Sequence, residues 1–105
     1  MYNNPVEITS DYLRLFDTKS IESITKIATA QQVNLFINAS SDTKKYNDKL
    51  TLMAMATTKN DTFTRGAAVS IIDKNASMEE LSVKMYNASM MAIEALNNKI
   101  KLIKI

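Results

Sequence analysis

Hydrophobic residues recur with the period of a helix in the first third of the chain. Ile21, Ile24 and Ile27 are three positions apart, which places them on one side of a helix over residues 18–31. Asp17 comes directly before this segment, where an aspartate can accept hydrogen bonds from the amides of the first helical turn. The pattern therefore predicts an amphipathic helix that begins just after Asp17.

Four other segments are predicted to be strands. β-branched and aromatic residues are concentrated in residues 8–16, 33–37 and 66–72, and residues 44–47 are expected to form a short returning strand. Within the second segment, Val33, Leu35 and Ile37 occupy every second position, as expected for a strand with one buried face. The polar residues 39–43 predict a turn, and the polar residues 58–65 predict a loop.

Two further helices are predicted in the second half of the chain. Residues 49–57 combine leucine, methionine and alanine, and Asp48 can cap them, which favours a short helix. Ser77 and Glu80 form a capping box, in which each side chain accepts a hydrogen bond from the other residue's backbone amide. This motif predicts the start of the longest helix.

The C-terminal residues 99–105 are compatible with two structures. Lysines alternate there with aliphatic residues, as in a strand, but Ile100 and Ile103 also continue the helical pattern. We expect a helix that frays into an extended tail. The alternative is an extra edge strand, on which the lysines would limit pairing with other strands.

These elements predict one domain over residues 1–105, with a core at about 8–97 and a tail at 98–105. The expected order is β-α-β-β-α-β-α, an open-faced two-layer α+β sandwich with three helices on one face of a four-stranded antiparallel sheet. A chain of 105 residues, 46% hydrophobic and 23% charged, is compatible with a soluble globular domain that has one modest core.

Composition excludes several kinds of chemistry. The chain has no histidine and no cysteine, so it lacks the usual general base, the commonest metal ligand and any thiolate, and we expect no cofactor and no metal. A net charge of +2, without basic residues interleaved with aromatics, argues against nucleic-acid binding. Neither a signal peptide nor an apolar run of about 20 residues is evident, so we expect a cytoplasmic protein with no membrane contact.

A family resemblance is clearest in residues 65–71, which read Arg-Gly-Ala-Ala-Val-Ser-Ile. This run resembles the Lys-Gly-Ala-Thr-Ile-Thr-Ile pattern of HPr, the phosphocarrier family of the bacterial sugar phosphotransferase system. Residues 33–35 and 44–49 are similar to the family's second strand and to the segment that enters its short helix. The resemblance extends over about residues 8–97, with an apparent insertion at 60–64.

The resemblance implies a phosphocarrier fold that has lost its relay chemistry. The family's phosphorylated histidine corresponds to Asp17, its phosphate-steadying arginine to Lys19, and its regulatory serine to Leu50. Asp17 has two interpretations. It is a helix cap, or it places a permanent negative charge where the family carries its phosphate.

The resemblance also implies a surface that contacts partner proteins. In HPr the exposed face of the short helix docks onto partners, which implies a contact patch formed by Phe16, Leu50, Thr51, Leu52 and Met55. Packing in the core is the alternative for the apolar members of this set. The implied partners are proteins of the phosphotransferase or carbon-regulation network.

Three functions therefore remain open. The first is a non-phosphorylatable HPr-like protein that binds or regulates other proteins and is not an enzyme. The second is an unrelated α+β module that forms homodimers or binds a ligand, using the uncovered face of its sheet. The third is an enzyme that works with carboxylates alone. Its candidate acids are Asp11, Asp17, Asp73, Glu79 and Glu80.

Overall fold

The computed structural model describes residues 4–9, 17–41, 49–61 and 63–104. They form six elements along the chain: β1 (Val6–Thr9), α1 (Thr18–Gln31), β2 (Val33–Ser41), β3 (Lys49–Thr58), β4 (Arg65–Asp73) and α2 (Met78–Lys104). The fold class is α+β, as the sequence predicts. The element order is β-α-β-β-β-α, which differs from the expected order at residues 49–58.

The segment predicted to be a short helix is strand β3. Leu50 and Leu52 are 1% and 0% exposed in the core, whereas Thr51 between them is half-buried on the opposite face. Leucine, methionine and alanine favour helices weakly, and pairing with β2 on one side and β4 on the other overrides that preference. The short-helix prediction was wrong, and the described residues contain two helices rather than three.

The four strands lie in the order β1-β2-β3-β4 and form a mixed sheet. β3 pairs antiparallel with β2 on one side and with β4 on the other, but β1 pairs parallel with β2. The reason is the α1 crossover, which returns the chain to the end of the sheet where β1 begins, so that β2 runs in the same direction. The prediction of an antiparallel sheet was therefore wrong for β1.

The strand boundaries follow the sequence prediction unevenly. The strands expected at residues 33–37 and 66–72 are confirmed, and the first of them continues to Ser41 through residues expected to turn. β1 shares only residues 8–9 with the first predicted strand. Residues 10–16, the predicted strand at 44–47 and the predicted cap Asp48 lie outside the described residues.

Helix α1 begins and ends where its sequence indicates. Asp17 is its N-cap, since its Oδ1 accepts a hydrogen bond of 3.0 Å from the Lys19 backbone N–H. At the other end Gln32 adopts the left-handed conformation (φ 58°) and its N–H donates back to Thr29 and Ala28 carbonyls. The predicted helix and its predicted cap are both confirmed.

Helix α2 starts at the predicted capping box. The Ser77 Oγ accepts a hydrogen bond of 3.1 Å from the Glu80 backbone N–H. The helix then continues for 27 residues to Lys104, so residues 99–104 are helical rather than extended, and the alternative of an extra strand was wrong. Neither of the helices in the described ranges combines the length and apolarity needed to cross a membrane.

Both helices cover the same face of the sheet. Ile24 of α1 and Met85 of α2 are buried in one core with Leu35 and Leu52 of the strands. Gly66 shows how closely α2 approaches, because a Cβ at this position would overlap the Ala92 carbonyl oxygen. The result is a two-layer domain in which the second face of the sheet has neither described helix packed on it.

Candidate functional site

The sheet face opposite the helices, called here the open face, carries side chains from every strand. Strand side chains alternate between faces, so the neighbours of the buried residues point to the open face. From β2, β3 and β4 these are Asn34, Phe36, Asn38, Ser40, Thr51, Met53, Met55, Ala67, Val69 and Ile71. Thr57 has the corresponding register position on β3 but is buried, with 2% of its surface exposed. Polar residues are concentrated on β2, and apolar residues on β3 and β4.

Phe36, Met53, Met55, Val69 and Ile71 form an apolar strip across the open face. The register aligns Phe36 with Met55, and Met53 with Val69, on neighbouring strands. Val69 is 62% exposed, Ile71 49% and Met53 40%. Isolated apolar residues on a surface are common, but a contiguous set across three strands is typical of a contact surface.

Charged residues border the apolar strip at the two ends of β4. At one end Asp73 forms an ion pair with Lys49, which is its cross-strand neighbour on β3. At the other end the Arg65 Nη1 lies 3.9 Å from the Met55 Sδ and donates to it. The strip is therefore apolar in its middle and bordered by the Asp73–Lys49 ion pair at one end and by Arg65 at the other, an apolar centre with a charged rim as in many protein contact surfaces.

The two edge strands of the sheet, β1 and β4, differ in how open they are to pairing. β1 has four residues, follows Pro5 and carries Glu7, features that discourage added strands. β4 has nine residues in continuous register with β3, and neither charge nor proline occurs between Arg65 and Asp73. In the part of the chain that the structure describes, no strand covers its outer edge.

The residues of the predicted partner-contact patch do not form one surface. Leu50 and Leu52 are core residues and present no surface to a partner in this structure. Thr51 and Met55 lie half-buried on the open face, and Phe16 lies outside the described residues. The sequence interpretation missed Val69 and Ile71, although their alternation with Ala68 and Ser70 is a readable signal of a strand face.

Asp17 and Lys19, at the positions of the HPr histidine and arginine, are both exposed at the start of α1. Asp17 also lines an open groove of about 540 Å³ between the first turns of α1 and α2. Glu79, Val83 and Tyr86 line the other side of this groove. The groove thus joins two of the five candidate acids, Asp17 and Glu79. Asp73 does not line the groove and is paired with Lys49 on β3.

The groove contains few of the groups that catalysis uses. Ser82 lines it and has a buried hydroxyl with no hydrogen-bond partner, but no described histidine or cysteine is present to activate a nucleophile. Among the described residues, no group of three acidic side chains could hold a metal ion. Asp11, the remaining candidate acid, lies outside them.

The architecture is thus an α+β domain with one helix-covered sheet face and one open face. Comparison of the chain with protein-family models, curated proteins and solved structures finds no match in any of the three. The resemblance to HPr stays a prediction.

Proposed function

We propose that this chain is a non-enzymatic interaction module that binds a second copy of itself through β4 and the adjoining apolar strip. The observation that carries the proposal is the outer edge of β4, which is nine residues long, uncharged between its ends and uncovered by any strand of the described ranges. Val69 and Ile71 stand on the open face of this same strand, 62% and 49% exposed. One strand therefore offers both backbone groups and apolar side chains to a partner.

The physical argument rests on what an exposed edge does in water. An edge strand presents unpaired N–H and C=O groups, which form a template for another strand. Proteins that stay monomeric usually guard such edges with charge, proline or short length, as β1 does here with Glu7 and Pro5. Association at β4 would satisfy these groups and cover part of Val69 and Ile71 with side chains of the partner.

The proposal predicts a concentration-dependent dimer that a charge at the centre of β4 disrupts. Sedimentation velocity over a range of protein concentrations measures the association of the natural protein. Val69→Lys should yield a monomer, because it introduces a like-charged pair at the contact. Ser40→Lys adds the same charge to the open face on β2 and should leave the dimer intact.

Circular dichroism of both variants confirms that each is folded. A natural protein that is monomeric at every concentration would contradict the proposal. Equal disruption by Ser40→Lys and Val69→Lys would also contradict it, because the effect would then be a matter of net charge rather than of β4.

An HPr-related regulatory role is the second candidate. The observation that favours it is Asp17, a carboxylate at the start of α1 where the resemblance places the family's phosphohistidine. In this role Asp17 supplies a constant negative charge at a helix N-terminus and the chain binds proteins of the phosphotransferase network. The test is incubation with phosphoenolpyruvate and enzyme I of the phosphotransferase system. Stoichiometric phosphate transfer to the chain would contradict a non-catalytic role.

A carboxylate enzyme is the third candidate, favoured by the groove that joins Asp17 and Glu79. Two acids that flank a cleft can act as general acid and general base. Asp17→Asn and Glu79→Gln would each abolish such an activity without unfolding the chain. If the chain has an activity and both variants retain it, Asp17 and Glu79 are not its general acid and base, and this candidate is excluded.

A further inference from the structure

Strand β4 is arranged symmetrically about Val69. Arg65 and Asp73 stand four positions before and four positions after it, and they carry opposite charges. Ala67 and Ile71 stand two positions to either side, and both are apolar. All five residues point to the open face, because they occupy every second position of one strand.

We infer that two copies of the chain pair through β4 in antiparallel orientation, about a two-fold axis at Val69. This inference rests on the proposed self-association and adds its geometry. In this register Val69 lies opposite the partner's Val69, and Arg65 lies opposite the partner's Asp73. Symmetry repeats the second pair at the other end of the strand, so one contact contains two opposite-charge pairs.

Charge complementarity favours this antiparallel register over a parallel pairing. Opposite charges directly across an antiparallel pair stabilise a sheet, and like charges destabilise it. In a parallel pairing Arg65 would face the partner's Arg65 instead. The Arg65 guanidinium has five N–H donors, so it can contact the partner's Asp73 and still donate to Met55. The Asp73 carboxylate accepts several hydrogen bonds, so it can keep its ion pair with Lys49 within the dimer.

The helix above β4 would take part in the same contact. α2 returns along β4 in the opposite direction, since Gly66 at the start of the strand lies beside Ala92 and Leu96. Pairing of β4 about the two-fold axis would therefore place the two α2 helices antiparallel on the same side of the joined sheet. Met91, midway along α2, is 59% exposed.

The charges of α2 suit that antiparallel arrangement. Its first turn carries Glu79 and Glu80, and its last turns carry Lys99 and Lys101. In an antiparallel pair the acidic end of each helix lies beside the basic end of the other, which favours association. The joined sheet would have eight strands, and its open face would combine the apolar strips of both copies.

Charge reversal tests the register directly. Arg65→Asp and Asp73→Arg each create two like-charge pairs, so each variant alone should dimerise at least about tenfold more weakly than the natural protein. Mixed one to one, the two variants should form a heterodimer, because aspartates of one copy then face arginines of the other. Native mass spectrometry distinguishes the heterodimer from either homodimer.

A chain that carries both reversals should dimerise like the natural protein. This double variant also controls for folding. Like Asp73→Arg, it replaces the Lys49–Asp73 ion pair by two neighbouring cations within one copy, so any loss of stability from that change affects both variants. If the double variant and the mixture both fail to associate, the register is wrong.

Disulfide trapping provides a second measurement, and the chain is suited to it because it contains no cysteine. Residues directly opposite in an antiparallel pair have Cα atoms about 4.5–5.5 Å apart, within the range of a disulfide. Val69→Cys should therefore form a covalent dimer under mild oxidation. Ile71→Cys is the matched control, since the two cysteines would be about 13 Å apart along the strands and should not cross-link.

The outcomes separate this inference from the proposed function. If the natural protein is monomeric at every concentration, both the proposed self-association and the inferred register are wrong. A dimer that survives both single charge reversals, or that cross-links through Ile71→Cys as readily as through Val69→Cys, leaves self-association intact but shows another register or a face-to-face contact.

Discussion

Gly66 of β4 lies directly against the backbone of α2 at Ala92. A Cβ on this residue would overlap both the Ala92 carbonyl oxygen and the Leu96 nitrogen. These are backbone atoms within a regular helix, so they cannot move aside as the end of a flexible side chain would. The single glycine of the chain therefore allows the helix to approach the strand closely.

Gly66→Ala should consequently destabilise the domain. The added methyl group pushes α2 away from β4, and overpacking of this kind costs about 1–3 kcal/mol of unfolding free energy. Equilibrium urea unfolding measures the loss. Ala67→Ser is the control, since Ala67 lies exposed on the open face and should change stability by less than about 0.5 kcal/mol. Equal stability of Gly66→Ala and the natural protein would contradict the close approach.

Truncation of Leu52 should cost much more stability than truncation of Met53. Leu52→Ala removes a fully buried side chain and should lower the unfolding free energy by about 2–5 kcal/mol. Met53→Ala removes a side chain that is 40% exposed on the open face, so its cost should be below about 1 kcal/mol. Thermal unfolding followed by circular dichroism measures both. Similar losses for the two variants would contradict the alternation of β3.

Loss of the α1 cap should have a moderate effect. Asp17→Ala removes the carboxylate that accepts the Lys19 N–H, which costs about 1 kcal/mol of unfolding free energy. Asp17→Asn and Asp17→Ser keep a capping oxygen and should retain most of the stability. If Asp17→Ala and Asp17→Asn unfold at the same denaturant concentration, the cap contributes nothing measurable.

The loop between β3 and β4 should change its hydrogen bonding in acid. The backbone amide of Phe63 and the hydroxyl of Thr64 donate to the Asp61 carboxylate and lower its pKa below its ordinary value. Because the folded-state pKa is depressed, these bonds stabilise the folded chain above the unfolded-state pKa. Their contribution is lost as the pH falls through the folded-state pKa.

The Phe63 amide chemical shift, followed by NMR against pH, reports this titration. Its midpoint should lie below the ordinary aspartate value. Thr64→Val removes one donor and should move the midpoint upwards, towards that value. A midpoint at or above the ordinary value in the natural protein would contradict the hydrogen bonds.

The helices were predictable because their signals are local. The three-residue spacing of Ile21, Ile24 and Ile27 predicted α1, and Asp17 marked its start. The capping box of Ser77 and Glu80 located the start of α2 in the same way. Caps and amphipathic spacing act within a few residues of one another, so neighbouring sequence carries nearly all of the information.

Strand β3 shows where local signals fail. Its leucines, methionines and alanines have the composition of a helix, yet Leu50 and Leu52 alternate with Thr51 and Met53 as strand residues do. Composition and period disagree over this segment, and strand pairing on both sides decides in favour of the period. The docking patch expected on a short helix was consequently divided between the core and the open face.

The sequence by itself determined the α+β class, the positions of α1 and α2, the strands at β2 and β4, and the absence of histidine and cysteine chemistry. Only the tertiary structure decided that β1 runs parallel to β2, that β3 is a strand, and that Val69 and Ile71 share an open face with Met53. The reason is the range of the interactions. Helix periods and caps depend on neighbours within a few residues, whereas strand order and face exposure depend on contacts between residues far apart in the chain.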